Sequence, residues 1–140
     1  MDDLNRFLDA QENDFEIALS EIKNGSKQSH WMWYIFPQIK GLGFSSLSNF
    51  YAIKTKAEAE NYLAHQILGK RLIEISNALL EVEGKTAYQI FDSPDDMKLK
   101  SSMTLFGSLE NTNPIFQSVL DKYFNGAKDY RTLELLDVID

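Results

Sequence analysis

The residues that could do chemistry in this chain sit in two stretches. The first, Ser29 to Ser46, reads SHWMWYIFPQIKGLGFSS; it sets His30, Trp31, Trp33, Tyr34 and Phe36 close together, with Gln38 and a Gly41-Leu42-Gly43 loop behind them. The second, Lys98 to Phe106, reads KLKSSMTLF and offers Lys100, Ser101 and Ser102. Together these are the parts of a small-molecule pocket. Aromatic walls stack on a planar or apolar group, and a few polar side chains orient it. His30 is a candidate acid–base group. Lys100 beside two hydroxyls, near a glycine-bearing loop, suits an anionic or nucleotide-like ligand. The candidate ligand-binding residues are His30, Trp31, Trp33, Gln38, Lys100, Ser101 and Ser102. Of these, His30, Trp33, Gln38 and Lys100 are expected to border one cleft. No catalytic residue is assigned.

Each of these residues also has a structural role open to it. His30 can bond backbone at a helix start. Trp31 and Trp33 are two apart and so on different faces of a helix; one is expected in the core while the other floors a cavity. Gln38 can serve loop backbone as well as a ligand. Ser102 falls on the Leu99, Met103, Phe106 stripe, where a small side chain lets helices cross and its hydroxyl bonds a preceding carbonyl. Lys100 lies off that stripe, where a lysine is a solvated charge, and His65 reads as a helix-end residue. A second function class rests on the same residues. An exposed aromatic patch would make this a protein-interaction module without catalysis.

Absences narrow the chemistry. The 140 residues include no cysteine and only two histidines. Disulfides, thiolate zinc sites and thiol catalysis are therefore excluded, and neither a metal nor a cofactor is expected. There is no P-loop, GxSxG or HExxH pattern, and Gly41-x-Gly43 lacks the third glycine of a dinucleotide fingerprint. The net charge is −7 with no basic stripe, which argues against nucleic acid. MDDLNRF at the N-terminus carries no apolar h-region. No run approaches the roughly 18–20 apolar residues of a membrane span. The expectation is a cytoplasmic protein without a membrane partner; a protein partner stays open.

These residues must be positioned by helices. Asp2 or Asp3 can cap a first helix, carried by Leu4, Phe7, Leu8, Phe15, Ala18, Leu19 and Ile22, with a break near Gln11 to Asn13 and an end at Asn24-Gly25. Ser29 can cap a short second element closed by Pro37. Ser45 or Ser46 starts another short helix. Thr55 to Glu58 has capping-box spacing, and Leu68, Leu72, Ile75 and Leu79 step along an amphipathic helix ending near Gly84. Thr86 to Phe91 is a short turn. Ser93-Pro94-Asp95-Asp96 reads as N-cap, proline at N1 and two first-turn acids, opening a helix that stops at Gly107. Asn113-Pro114 opens the next, which ends at Asn125-Gly126, and Leu133 to Leu136 form a terminal turn. Trp31 to Phe36 has strand-like composition, but no alternating partner strand exists. The expected fold is one all-α domain over 1–140 with about six to eight helices, several of them short. A domain near this size buries roughly 68–70% of its extended surface, enough for a core without staples.

Several runs also match a known family in order: RFLDAQ at Arg6, Ser29 to Gly43, Tyr51-Ala52-Ile53, YLAH at Tyr62 with LGKRL at Leu68, KLKSSMTLF at Lys98, and Asp129 to Leu136. Across nearly the whole chain the sequence resembles the domain of unknown function numbered 1810. The resemblance implies a compact all-helical fold and supplies no catalytic residues. The family's usual proline after the histidine is Gln66 here, which puts one helix start in question. Some members carry the label calpastatin, a disordered polar inhibitor type; the core-forming composition of this chain contradicts it.

Overall fold

Leucine, isoleucine and phenylalanine at three- and four-residue spacing make most of this chain amphipathic helix, and a computed structural model describing residues 3–138 bears this out. Among the described residues there are nine helices and no strand beyond an isolated parallel bridge between Ile39 and Ile53. They are α1 (Asn5–Lys23), α2 (Met32–Ile35), α3 (Ser46–Tyr51), α4 (Lys56–Ala64), α5 (Leu68–Glu81), α6 (Ala87–Phe91), α7 (Asp95–Gly107), α8 (Ile115–Phe124) and α9 (Tyr130–Val138). Six of them have seven residues or more. No described helix is long and apolar enough to cross a membrane.

α1, α5, α7 and α8 build the body around one apolar cluster that includes Phe7, Ile22, Leu72, Leu79, Phe106 and Phe116. α7 packs most extensively on α8, and α1 on α5. α4 and α5 approach closely: a Cβ on Gly69 would lie 1.9 Å from the Leu63 carbonyl oxygen, so only glycine fits there.

The helix ends follow capping chemistry in part. Ser45 Oγ accepts from the Ser48 amide, and Thr55 Oγ1 from the Glu58 amide. The reciprocal half of the expected box at Thr55 is missing, because Glu58 is turned to Lys54 and Arg6. A complete box occurs at Thr86 and Gln89 instead. Asn125 ends α8 in the left-handed region, at φ 55°. α5 stops at Glu81, just before Gly84, and its last carbonyls are gathered by Lys122 Nζ, 3.2 Å from Leu79 O and 2.7 Å from Leu80 O. His65 ends α4 and also opens α5, since its Nδ1 accepts from the amides of Ile67 (3.1 Å) and Leu68 (3.3 Å). Proline is therefore not needed at Gln66.

Four local expectations are corrected. α1 runs unbroken through Gln11 to Asn13. Gln11 lies on the inner stripe and is held there by bonds to Tyr34 O (2.7 Å) and the Tyr62 hydroxyl (3.0 Å). Ser29 does not cap α2; its hydroxyl donates to Glu21 at 2.6 Å. α7 begins at Asp95 rather than Pro94, after a cis Ser93–Pro94 bond. Its first amides are satisfied by the carbonyls of Asp92 and Pro94 and by Asp96 Oδ1, leaving no role for a serine cap. The C-terminal turn extends to a full helix, α9. At the start of α1 no side chain caps the Leu4 position, and Asp2 lies outside the described residues.

Candidate functional site

The aromatic segment is mostly core. Trp31 is 1% exposed and Phe36 is fully buried; Trp31, Phe36 and Phe91 meet with ring centroids 6.1–6.4 Å apart. The indole N–H of Trp31 donates to Glu21 Oε1 at 2.8 Å. The same carboxylate takes the amides of Gln28 (2.9 Å) and Ser29 (3.0 Å). Burial raises the Glu21 carboxyl, but the hydrogen bonds from the Ser29 hydroxyl, the two amides and the indole outweigh it and bring its pKa down to about 2. Glu21 thus clamps the 24–31 turn onto α1.

Two further networks hold this end of the molecule. The buried pair of Arg6 and Glu58, 3.2 Å apart, is completed by Arg6 donating to Phe50 O (2.8 Å) and Ala52 O (2.9 Å). The Tyr34 hydroxyl donates to Asp14; burial, then that bond, raises its pKa. Arg6, Glu58 and both oxygens of Glu21 are engaged by structure.

The free polar groups lie on the other side, where the tail of the aromatic segment meets α7. A groove of about 350 Å³ opens there. Gln38, Lys98, Ser101 and Asp129 supply its polar lining; Leu42, Pro94 and Met97 supply apolar surface, and Gly43 the loop backbone. Lys98 Nζ stands 3.5 Å from Asp95 Oδ1 and 5.4 Å from the Trp33 ring centroid. Asp95 is the tighter partner of Lys27, at 3.0 Å. Asp129 caps α9, its Oδ2 accepting from the Thr132 amide at 3.0 Å and lying 3.5 Å from Ser101 Oγ. Its Oδ1 makes no bond with a described residue. The Gln38 carbonyl is fixed by the Ile53 amide at 2.8 Å, while its side-chain amide bonds no described residue.

The sequence-derived candidates divide accordingly. Gln38 and Ser101 come together in the groove, with Trp33 at its edge through Lys98. Trp31 is core. His30 is exposed and does not line the groove. Lys100 projects over Phe124, 5.9 Å from its ring centroid. So the cleft bordered by His30, Trp33, Gln38 and Lys100 does not assemble as expected. Residues two apart on a helix point about 200° away from each other; Lys98, three before Ser101, shares its face, whereas Lys100 does not. Ser102 is fully buried, and its Oγ bonds no described residue, a preceding carbonyl included. It is Ser101 that bonds back, to Met97 O at 3.1 Å. Lys98 was recoverable from helical spacing; Asp129, the cap of α9, was not. The described His, Asp and Glu residues form no group of three able to hold a metal ion.

The family model described as "Protein of unknown function (DUF1810)" matches residues 1–136. This chain belongs to the DUF1810 family. A solved structure, that of the conserved hypothetical protein Rv1873 from Mycobacterium tuberculosis, is 44% identical and superposes with a TM-score of 0.95 over 97% of each chain. No curated protein matches the sequence. Both stretches that carry the groove lie inside the DUF1810 match.

Proposed function

We propose that this DUF1810 protein binds a small polar metabolite, anionic or nucleotide-like, in the groove between Gln38–Gly43 and α7. One observation carries the reading: an ammonium (Lys98), an amide (Gln38), a hydroxyl (Ser101) and a half-free carboxylate (Asp129) converge on a groove with apolar walls. Lys98 would meet the anionic group, exchanging its longer contact with Asp95 for the ligand. Asp129 Oδ1 and Gln38 would take hydroxyls or ring nitrogens, and Trp33 would support the lysine from behind. Ser101 Oγ donates to Met97 O at 3.1 Å and reaches Asp129 Oδ2 only at 3.5 Å, so the proposal is binding. A cysteine-free chain of this kind suits a cytoplasmic setting.

The test is a thermal-shift screen against nucleotides, sugar phosphates and anionic metabolites. A ligand at a hundred times its Kd adds roughly 2.7 kcal/mol. Gln38→Ala and Lys98→Ala should leave the apo Tm nearly unchanged and abolish the shift, while Lys100→Ala keeps it. A hit whose shift survives both groove substitutions would place the ligand elsewhere, and no hit across the library would retire the groove.

A further inference from the structure

A second surface differs from the groove in kind. α3 buries none of its residues. Phe44, just before it, is 87% exposed, Phe50 53% and Leu47 46%. Leu47 and Phe50 are three apart and share a helix face. Residues 41–52 form an excursion rooted by two backbone bonds, Lys40 N to Ile53 O (2.9 Å) and Ile53 N to Gln38 O (2.8 Å). These bonds set Lys40 and Lys54, both exposed, at the two roots. Neither lysine side chain is engaged by a described residue.

The charge around this excursion runs against the rest of the chain. Residues 22–57 contain five lysines and no Asp or Glu, although the protein has 21 acids. The acids that reach it are already engaged: Glu58 of α4 accepts from the Lys54 amide at 2.9 Å and is paired with Arg6, and of the α1 acids that act on Tyr51, Asp9 and Asp14, the latter is bonded by the Tyr34 hydroxyl.

We propose that this face docks on an anionic lipid bilayer. Phe44, Leu47 and Phe50 enter the boundary between headgroups and acyl chains, and Lys40 and Lys54 meet the headgroup anions. Residue types favour lipid over protein. Protein interfaces are enriched in Phe, Tyr, Trp, Met and Arg and depleted in Lys and Ser, so Phe44 and Phe50 suit either partner; what favours lipid is that they are framed by Lys40 and Lys54 and interleaved with Ser45, Ser46 and Ser48, with no arginine in the excursion. The net charge of −7 does not oppose this. Charges beyond a Debye length of roughly 8 Å are screened, so the acidic remainder mainly orients the molecule, turning the lysine-bearing end to the surface. The absence of a membrane span bears only on crossing a bilayer and not on lying against one. This proposal does not depend on the groove's having a ligand.

Co-sedimentation with vesicles tests it. The intact protein should partition onto vesicles of equimolar phosphatidylcholine and phosphatidylserine and not onto phosphatidylcholine alone, and added salt should release it. A lysine near an anionic surface is worth about fivefold in partitioning, so Lys40→Ala with Lys54→Ala should weaken it about thirtyfold. Phe44→Ser should weaken it several-fold; all three substitutions should leave Tm unchanged. The proposal is overturned if the protein stays in the supernatant with serine-containing vesicles at low salt, or if the variants bind as well as the parent. Binding to oligo-dT in place of vesicles, or a Phe44-dependent dimer in size-exclusion without vesicle binding, would equally overturn it and assign the face to nucleic acid or to a second copy.

Discussion

Residues 31–39 and residues 44–50 are neighbours in the chain, and both carry large apolar side chains, yet the fold spends them in opposite ways. In the first, Trp31, Met32, Ile35, Phe36 and Ile39 are each at most 2% exposed, and the adjoining polar groups are consumed: the Trp31 indole by Glu21, the Tyr34 hydroxyl by Asp14 and its carbonyl by Gln11. In the second, no residue is fully buried, and Phe44, Leu47 and Phe50 face outward while Tyr51, at the end of α3, turns back against Phe7 and Tyr34. The difference lies in the backbone around them. Residues 31–39 are enclosed by α1, Tyr51 of α3 and the Phe91 end of α6, while residues 44–50 stand off the body between the packed side chains of Leu42 and Tyr51. Apolar content therefore marks neither core nor interface; what packs against it does.

The largest test of this contrast is a pair of truncations. Trp31→Ala should cost roughly 3–5 kcal/mol in urea unfolding, against less than about 0.5 kcal/mol for Phe44→Ala. Comparable losses would mean that the excursion is packed in solution. Next in size is the polar anchor that joins the two regions. Arg6→Ala leaves Glu58 buried without its cation and frees the carbonyls of Phe50 and Ala52, so a loss of roughly 3 kcal/mol is expected, read by chemical denaturation. If the effect is under about 1 kcal/mol, Arg6 is not what roots the excursion.

A smaller effect comes from pH. The Glu21 carboxyl is depressed to about 2 in the folded protein, from an ordinary value of 4.5. A depressed folded pKa stabilises above the unfolded value and is lost as pH falls through the folded one. The clamp should therefore weaken between about pH 5 and pH 2, and Glu21→Gln should flatten that part of the Tm–pH curve. A curve of unchanged slope would remove Glu21 from the acid transition. The smallest expected change is a gain. Ser102 Oγ is buried without a partner among the described residues, and an unmet hydroxyl costs about 1–3 kcal/mol to bury. Ser102→Ala should raise stability by about 1 kcal/mol, whereas Ser101→Ala, which loses a bond to Met97 O, should lower it slightly. A loss at Ser102 would point to a partner for its hydroxyl in solution.

Much of this was legible in the chain before any coordinates. The all-helical class followed from spacing and caps, and Ser45, Thr55 and Asn125 mark helix ends as their chemistry requires; α7 also stops at Gly107, but through Ser108 in the right-handed region. Departures occurred where a side chain had a stronger distant partner. Ser29 is taken by Glu21 instead of α2, Glu58 by Arg6 instead of Thr55, and Gln11 by Tyr34 and Tyr62 instead of solvent. Each pairing spans between 8 and 52 positions, beyond the reach of any local pattern. The candidate site failed in the same way. That the aromatic segment and the KLKSSMTLF helix meet was readable from their composition; which lysine points into the meeting place was not.

By itself the sequence determined the helical periodicity, the positions of most turns and the absence of thiol chemistry, because these depend on residue types a few positions apart. Only the tertiary structure decided that Trp31 is core, that Lys98 rather than Lys100 faces Gln38, that Asp129, the cap of α9, completes the groove, and that Phe44 to Phe50 stay outside. Those outcomes depend on how the nine helices of the described residues cross in space. Crossing is fixed by the packing of side chains far apart in the chain, and not by the preferences of any one segment.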